Sequence, residues 1–131
     1  MVASHHLTIP AAAGSPGLAN GSVLFIGNAT LLIRYAGFTI LTEPTFIHMH
    51  ERVSIGYGMH STRLTNPAME IADPPPIDLI MLSHFHRDHF DQLAERNLDK
   101  RLPIITTAEA AKELNKLGFG NTFVLETWCP W

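Results

Sequence analysis

Short runs of apolar residues, broken by turn-forming pairs, organise the first part of the chain. Gly27-Asn28 ends the first run, and Ala36-Gly37 separates the next two in the manner of a hairpin turn. The third run ends at Glu43-Pro44, because proline has no N–H to donate to a sheet ladder. The pattern predicts strands at residues 22–26, 30–35 and 38–42.

The second part of the chain alternates between apolar runs and amphipathic segments. Residues 45–76 show no clean period, contain several Gly and Pro, and predict a long loop region of the kind that is often functional. Thr106 and Glu109 have capping-box spacing, with Thr106 as the N-cap, and Gly118 ends that helix just after Leu117. The remaining predictions are strands at 77–82, 102–106 and 121–126 and a helix at 91–98. Several strands followed by βαβαβ indicate an α/β sandwich half.

Composition and charge narrow the class of protein. A length of 131 residues and a hydrophobic fraction of 46% are typical of one globular domain. The net charge of -3 includes no long run of one sign, which argues against nucleic-acid binding by charge. The apolar runs are too short to span a membrane, and no secretory signal is recognisable. With one cysteine and therefore no intramolecular disulfide, we predict a cytoplasmic protein.

The two ends of the chain add little chemistry. Residues 1–20 are rich in Ala, Gly, Pro and Ser and predict a flexible leader, in which His5 and His6 are expected to be solvated. Residues 21–131 are expected to form the folded domain. Cys129 is a candidate soft metal ligand, although a small buried side chain is the favoured interpretation.

Four metal-binding side chains within six residues are the most informative feature of the chain. His84, His86, Asp88 and His89 follow directly on the predicted strand 77–82. The first three alternate, so an extended segment would point them to one side and leave His89 to face elsewhere, towards a second metal. Imidazole and carboxylate ligands favour zinc, iron or manganese over calcium. A histidine-rich surface loop without metal is the alternative interpretation.

This motif resembles the signature of the metallo-β-lactamase superfamily, H-x-H-x-D-H after a buried strand. The resemblance covers about residues 22–128. It is closest to the branch of lactonase-like and N-acyl-phosphatidylethanolamine phospholipase D-like hydrolases. Flanking matches are Phe25-Ile26-Gly27-Asn28-Ala29-Thr30, Leu41-Thr42-Glu43-Pro44 and Pro76-Ile77-Asp78. The resemblance implies an αββα sandwich of which this chain holds the first half.

The resemblance also implies a metal-dependent hydrolase. His84 and His86 would help to bind a first metal, and Asp88 and His89 a second, with zinc favoured over iron or manganese. A hydroxide held between the metals would attack an ester, lactone, amide or phosphodiester of a small-molecule or lipid-like substrate. Asp88 would additionally orient the attacking water. Glu43 stands where the family usually has Asp, and it would support a metal-bound histidine through a hydrogen bond.

One departure from the family pattern changes this expectation. The family completes its metal sites with a third His, a bridging Asp and a final His, whereas this sequence has no His after His89. We therefore expect a C-terminally incomplete domain with two protein ligands per metal, where catalytic zinc sites usually have three. An exposed apolar sheet face would then favour association. The alternative function is a non-catalytic metal-binding or interaction domain that completes its sandwich by pairing, for example as a homo-oligomer.

Five further side chains are candidates for functional or capping roles. His48, His50 and His60 lie in the long loop, where one of them folds over the metals or, as we favour, all stay in solvent or line a substrate mouth. Arg63 either meets an anionic substrate or pairs locally with an acidic side chain. Asp91 is expected to cap its helix rather than bind metal.

Overall fold

A computed structural model describes residues 7–8 and 21–126. The predictions for the leader at 1–20, apart from residues 7–8, and for Cys129 lie outside the described residues. Within them the chain forms eight strands and two helices. In chain order these are β1 (Ser22–Gly27), β2 (Thr30–Tyr35), β3 (Phe38–Thr42), β4 (Arg52–Gly56), β5 (Met59–Thr62), β6 (Leu79–Met81), α1 (Gln92–Asn97), β7 (Ile104–Thr106), α2 (Ala108–Lys116) and β8 (Thr122–Val124).

Six strands form one mixed sheet in the order β1-β2-β3-β6-β7-β8. The first three strands pair antiparallel, and the steps from β3 through β6 and β7 to β8 are parallel. Ala36 and Gly37 form the two-residue turn between β2 and β3 with φ values of 49° and 83°. Two positive φ values give a turn whose twist matches that of the flanking strands. The predicted strands at 30–35 and 38–42 are confirmed.

One face of this sheet forms the hydrophobic core. Leu32, Leu41, Ile80 and Ile104 are paired side by side across four neighbouring strands, and all four are buried. The helices cover this face, with Leu114 of α2 fully buried among the same side chains. Each such side chain contributes about 1.5–3 kcal/mol through burial, so this layer holds the parallel strands at fixed positions.

The opposite face of the sheet is apolar and open among the described residues. Neighbouring residues of a strand point to opposite faces of the sheet, so the residues next to the buried ones lie on this face. They include Phe25, Leu31, Met81 and Ile105. The side chains of Phe25 and Met81 are 60% and 41% exposed. Exposed apolar area of this extent is typical of a surface that packs against something else.

The long loop predicted at 45–76 is wrong in part, because it contains the antiparallel hairpin β4–β5. Gly56, Tyr57 and Gly58 make its turn with φ values of 89°, 53° and 73°. Every residue of β5 is exposed. A strand without a buried face shows no apolar alternation, so the periodicity of the sequence gave no signal of it.

Helix α2 begins one residue later than predicted. Thr107 is the N-cap, and its hydroxyl accepts a hydrogen bond from the Ala110 amide at 3.3 Å. Thr106 instead belongs to β7, where its hydroxyl has no hydrogen-bond partner in the described part of the chain. Two adjacent threonines offer the same capping group, and the capping-box spacing to Glu109 favoured Thr106, which is wrong because Thr106 pairs within the sheet. Gly118 has a φ of 92° and ends the helix as predicted.

Candidate metal centre

The parallel pairing of β3 with β6 brings the motif together with Glu43. Thr42 and Met81 are register partners at the ends of these strands, so the residues that follow them emerge side by side. The Glu43 amide donates to the Met81 carbonyl at 3.0 Å, and one carboxylate oxygen of Glu43 accepts from the Ser83 amide at 2.7 Å. The chain therefore places a carboxylate at the base of the motif loop.

The motif loop is a turn rather than the extended segment that we predicted. The amides of His89 and Phe90 both donate to the His86 carbonyl, at 2.9 and 2.8 Å. Asn28 fixes the loop from the β1–β2 turn through a 2.6 Å hydrogen bond to the Asp88 carbonyl. The turn brings His89 back towards His84, so the expectation that His89 faces elsewhere is wrong.

Two phenylalanines anchor the loop to the core. Phe90 is fully buried and meets Phe119 edge to face at a centroid distance of 5.4 Å. Phe85 lies 5.8 Å from Phe90 and packs against the same core. Edge-to-face aromatic pairs of this kind contribute about 0.5–1.5 kcal/mol beyond their buried area. The loop is therefore held by its phenylalanines while its histidines remain partly or largely exposed.

The three imidazoles of the motif are contiguous, with His84 in the middle. The His84 ring centroid lies 3.9 Å from that of His89 and 4.8 Å from that of His86. Burial lowers the pKa of His84, and the neighbouring His89 and His86 lower it further. Neutral imidazole is the form that binds metal ions, so this packing favours the ligand form of His84.

Hydrogen bonds fix which ring nitrogens remain available. The Nδ1 atom of His89 lies 2.9 Å from a carboxylate oxygen of Glu43, and Nδ1 of His84 lies 2.8 Å from the Ser83 hydroxyl. In both rings these hydrogen bonds involve Nδ1, so Nε2 is the nitrogen that remains available to a metal ion. Glu43 holds its position with a φ of 40°, an unfavourable conformation for a residue with a side chain. Strain of this kind is found at functional sites.

The donor set fits a divalent cation, but it is not a complete coordination shell. One carboxylate oxygen of Asp88 is buried without a hydrogen-bond partner among the described residues, and the other lies 3.7 Å from Nε2 of His89. An orphaned carboxylate oxygen beside imidazole nitrogens suits a metal ion. Within residues 7–8 and 21–126, however, no three His, Cys, Asp or Glu side chains surround one common position. The motif therefore supplies part of a centre.

The turn of the β4–β5 hairpin lies next to the motif. The sequence pattern did not predict this contact. A Cβ atom on Gly56 would lie 3.7 Å from Nε2 and Cε1 of His86. The glycine leaves His86 uncovered on this side. The sequence signal for this neighbour is the pair of glycines on either side of Tyr57, which indicates a turn but not what lies beside it.

The loop histidines do not join the motif in the described structure. Nε2 of His48 lies 2.9 Å from a Glu70 carboxylate oxygen, and His60 on β5 is the register partner of Ser54 on β4. His50 sits at the base of the hairpin, where its amide donates to the Arg63 carbonyl at 2.9 Å. No hydrogen bond or ring contact within residues 21–126 connects these three histidines to the motif side chains.

Replacing Glu70 with glutamine should lower the pKa of His48 towards 6.5. The hydrogen bond and the charge of Glu70 raise the pKa of His48, with a smaller contribution from Glu51. Because the folded pKa is the higher one, the pair stabilises the fold fully below the unfolded value of about 6.5 and loses this effect as the pH rises through the folded pKa. A ¹H–¹⁵N NMR titration of the imidazole measures the shift. Unchanged titration in Glu70→Gln would show that the pair does not persist in solution.

Asp91 caps helix α1 as predicted, and it does more than cap. One of its carboxylate oxygens accepts from the Ala94 amide at 2.9 Å. The other accepts from the Ile47 amide at 2.8 Å and from the Phe46 amide. The side chain is 1% exposed. Asp91 therefore joins the helix after the motif to the segment after β3.

A family model described as a beta-lactamase superfamily domain matches residues 22–128. An uncharacterised protein of Mycobacterium tuberculosis is 31% identical over 99 residues, which are 70% of this chain and 26% of that protein. N-acyl-phosphatidylethanolamine-hydrolyzing phospholipase D 1 of Caenorhabditis elegans is 30% identical over 81 residues, 62% of this chain and 22% of that enzyme. The chain spans about a quarter of the length of these relatives.

Two solved structures share the fold over most of the chain. The isothiocyanate hydrolase from Delia radicum gut bacteria matches with a TM-score of 0.67 and 29% identity, over 79% of this chain and 41% of that one. A protein described as a possible metal-dependent hydrolase from Veillonella parvula matches with a TM-score of 0.68 and 22% identity, over 80% and 44%. In the described residues of the present chain, no helix is long and apolar enough to cross a membrane. The family match over residues 22–128 and the shared mixed sheet show that the chain belongs to the beta-lactamase superfamily and has a metallo-β-lactamase-type fold.

Proposed function

We propose that this chain supplies part of a divalent metal centre to a metal-dependent hydrolase. The observation that carries the proposal is the contiguous set of three imidazoles beside an orphaned Asp88 oxygen. Membership of the superfamily supports a divalent metal. The remaining ligands would come from polypeptide outside the described residues.

Each motif side chain has a role in this proposal. His84 and His86 would hold a first ion, and Asp88 and His89 a second, with zinc favoured and iron or manganese also compatible. A bound dication lowers the pKa of its water towards ~7 and so supplies a nucleophile at neutral pH. The Glu43 carboxylate would accept a hydrogen bond from Nδ1–H of His89 and so leave Nε2 as the ligand atom. The Asp88 carboxylate would also orient the attacking water.

The substrate we propose is an ester, a lactone or a phosphodiester in a small or lipid-like molecule. The name of the Caenorhabditis elegans relative specifies hydrolysis of an N-acyl phosphatidylethanolamine. The similar enzyme from Delia radicum gut bacteria is named for hydrolysis of isothiocyanates. One fold hosts several chemistries, so these names support hydrolysis in general more strongly than any single substrate.

The first test is a zinc titration against a competing chromophoric chelator. We expect the wild-type chain to bind divalent metal and the His84→Ala/His86→Ala double variant to lose that binding. The matched control is His50→Ala/His60→Ala, which removes two histidines outside the motif. Equal metal binding by the double variant and the wild type would overturn the proposed ligands. Turnover of a nitrophenyl ester, a lactone and a phosphodiester by the metal-loaded protein then tests the reaction class.

A second candidate is a non-catalytic metal-binding or interaction domain that completes its sandwich by association. The open apolar face around Phe25 and Met81 favours it. Size-exclusion chromatography with light scattering distinguishes the two candidates. A stable oligomer that binds metal without turnover supports association, whereas a monomer with turnover rules it out.

A further inference from the structure

Arg63 carries a positive charge that forms no ion pair in the described structure. Its Nε and Nη2 atoms are buried and have no hydrogen-bond partner among the described residues. None of the ion pairs there includes Arg63. All 12 acidic residues of the sequence lie within 21–126, so the undescribed residues contain no Asp or Glu that could pair with it. The alternative of local pairing is therefore wrong.

The fold fixes the backbone of Arg63 and directs its side chain past Gly27. The Arg63 amide donates to the Glu51 carbonyl at 3.0 Å, and its carbonyl accepts from the His50 amide at 2.9 Å, at the base of the β4–β5 hairpin. Its side chain runs past Gly27, where a Cβ atom would come within 2.9 Å of Nη2. Arg63 as a whole is partly exposed, but buried donors that lack a partner destabilise a fold unless a ligand satisfies them. Nε and Nη2 are therefore donors that an anion could satisfy.

A small cavity lies between Arg63 and the motif. Asn28, Ser61, Arg63 and Asp88 line its polar side, and its volume is about 100 Å³. This is room for about three water molecules, enough for an oxyanion and too small for a whole substrate. Arg87 also reaches the cavity, but its guanidinium is already paired with Glu95 at 2.6 Å. Arg63 is therefore the charge available to a ligand.

We propose that Arg63 binds an oxyanion of the substrate, a carboxylate or a phosphate group, in this cavity beside Asp88. The inference rests on the proposed hydrolase function, because Asp88 joins the cavity to the candidate metal centre. The planar fork of arginine matches the geometry of both oxyanions and forms charge-assisted hydrogen bonds with them. The enzyme would then act on substrates that carry an anionic group close to the bond to be cleaved.

The negative charge of Asp88 opposes the anion when no metal is bound, so Asp88→Asn should strengthen anion binding.

The test measures anion binding rather than turnover. Chelator-treated protein is titrated with inorganic phosphate and, separately, with acetate, and binding is followed through the NMR signals of Arg63 Nε–H and of the Asn28 and Ser61 amides. We expect saturable binding that Arg63→Met weakens about 10- to 100-fold. The control Arg101→Met removes an arginine that is 90% exposed and paired with Asp99, and it should leave the affinity unchanged. A preference for phosphate or for acetate identifies the class of oxyanion.

Two further variants separate this inference from the metal centre and from folding. The His84→Ala/His86→Ala variant should retain anion binding even though it loses metal, so the two proposals fail independently. Arg63→Lys keeps the charge without the planar fork, and we expect weaker binding in a chain whose circular dichroism is unchanged. Absence of saturable binding in the wild type, or equal affinity in the wild type and both Arg63 variants, would overturn the proposal.

Discussion

Replacing Asp91 with alanine should lower the free energy of unfolding by about 3–5 kcal/mol. The carboxylate accepts from the amides of Phe46, Ile47 and Ala94 in a site that is 1% exposed. The smaller side chain leaves three amides without this acceptor, and a buried donor that loses its partner costs about 1–3 kcal/mol. Two segments that are far apart in the sequence, after β3 and before α1, lose their connection at the same time.

Urea unfolding followed by circular dichroism measures this loss. The control is Asp99→Ala, because Asp99 is an exposed aspartate whose carboxylate accepts hydrogen bonds from Arg101, two residues away in the sequence. Asp91→Asn keeps a single acceptor oxygen and should fall between the alanine variant and the wild type. A loss below about 1 kcal/mol in Asp91→Ala would mean that water replaces the carboxylate at these amides.

Local patterns predicted the elements that bury one face. Strands β2 and β3 follow the predicted bounds because their apolar positions alternate and Ala36-Gly37 forms the turn between them. The hairpin β4–β5 escaped prediction because both strands are short and every residue of β5 is exposed, so the second strand shows no apolar alternation. The strand predicted at 77–82 is three residues longer than the observed strand, because only Leu79–Met81 pairs with β3 and only Ile80 and Met81 also pair with β7.

The candidate site was predictable in its residue types and less so in its geometry. The spacing of the motif identified four donors, but the turn at His86 depends on amides that bond across the loop and on Asn28 from another turn. No local sequence pattern predicts that the His89 ring packs against the His84 ring. The unpaired state of Arg63 was equally inaccessible, because it depends on which acidic side chains the fold brings near. Sequence spacing reports neighbours along the chain, and these features arise from neighbours in space.

Replacing Glu43 with glutamine should weaken metal binding about 10- to 100-fold, provided that His89 is a ligand. Its two carboxylate oxygens accept from Nδ1 of His89 at 2.9 Å and from the Ser83 amide at 2.7 Å. Glutamine has one acceptor oxygen, so either the imidazole or the amide loses its partner. The neutral amide also gives less support to the basicity of Nε2 than a carboxylate does.

A zinc titration against a competing chelator, repeated with cobalt for its visible absorption, measures the change in affinity caused by Glu43→Gln. The control Glu113→Gln alters a half-exposed glutamate on α2 that is paired with Lys116. Glu43→Asp, which restores the residue usual in the family, should lose less affinity, because a carboxylate remains and only its reach changes. Glu43 keeps its strained φ of 40° at the point where β3 ends beside the motif. If both Glu43 variants bind metal as tightly as the wild type, the Glu43–His89 hydrogen bond serves the loop alone and His89 is not a ligand.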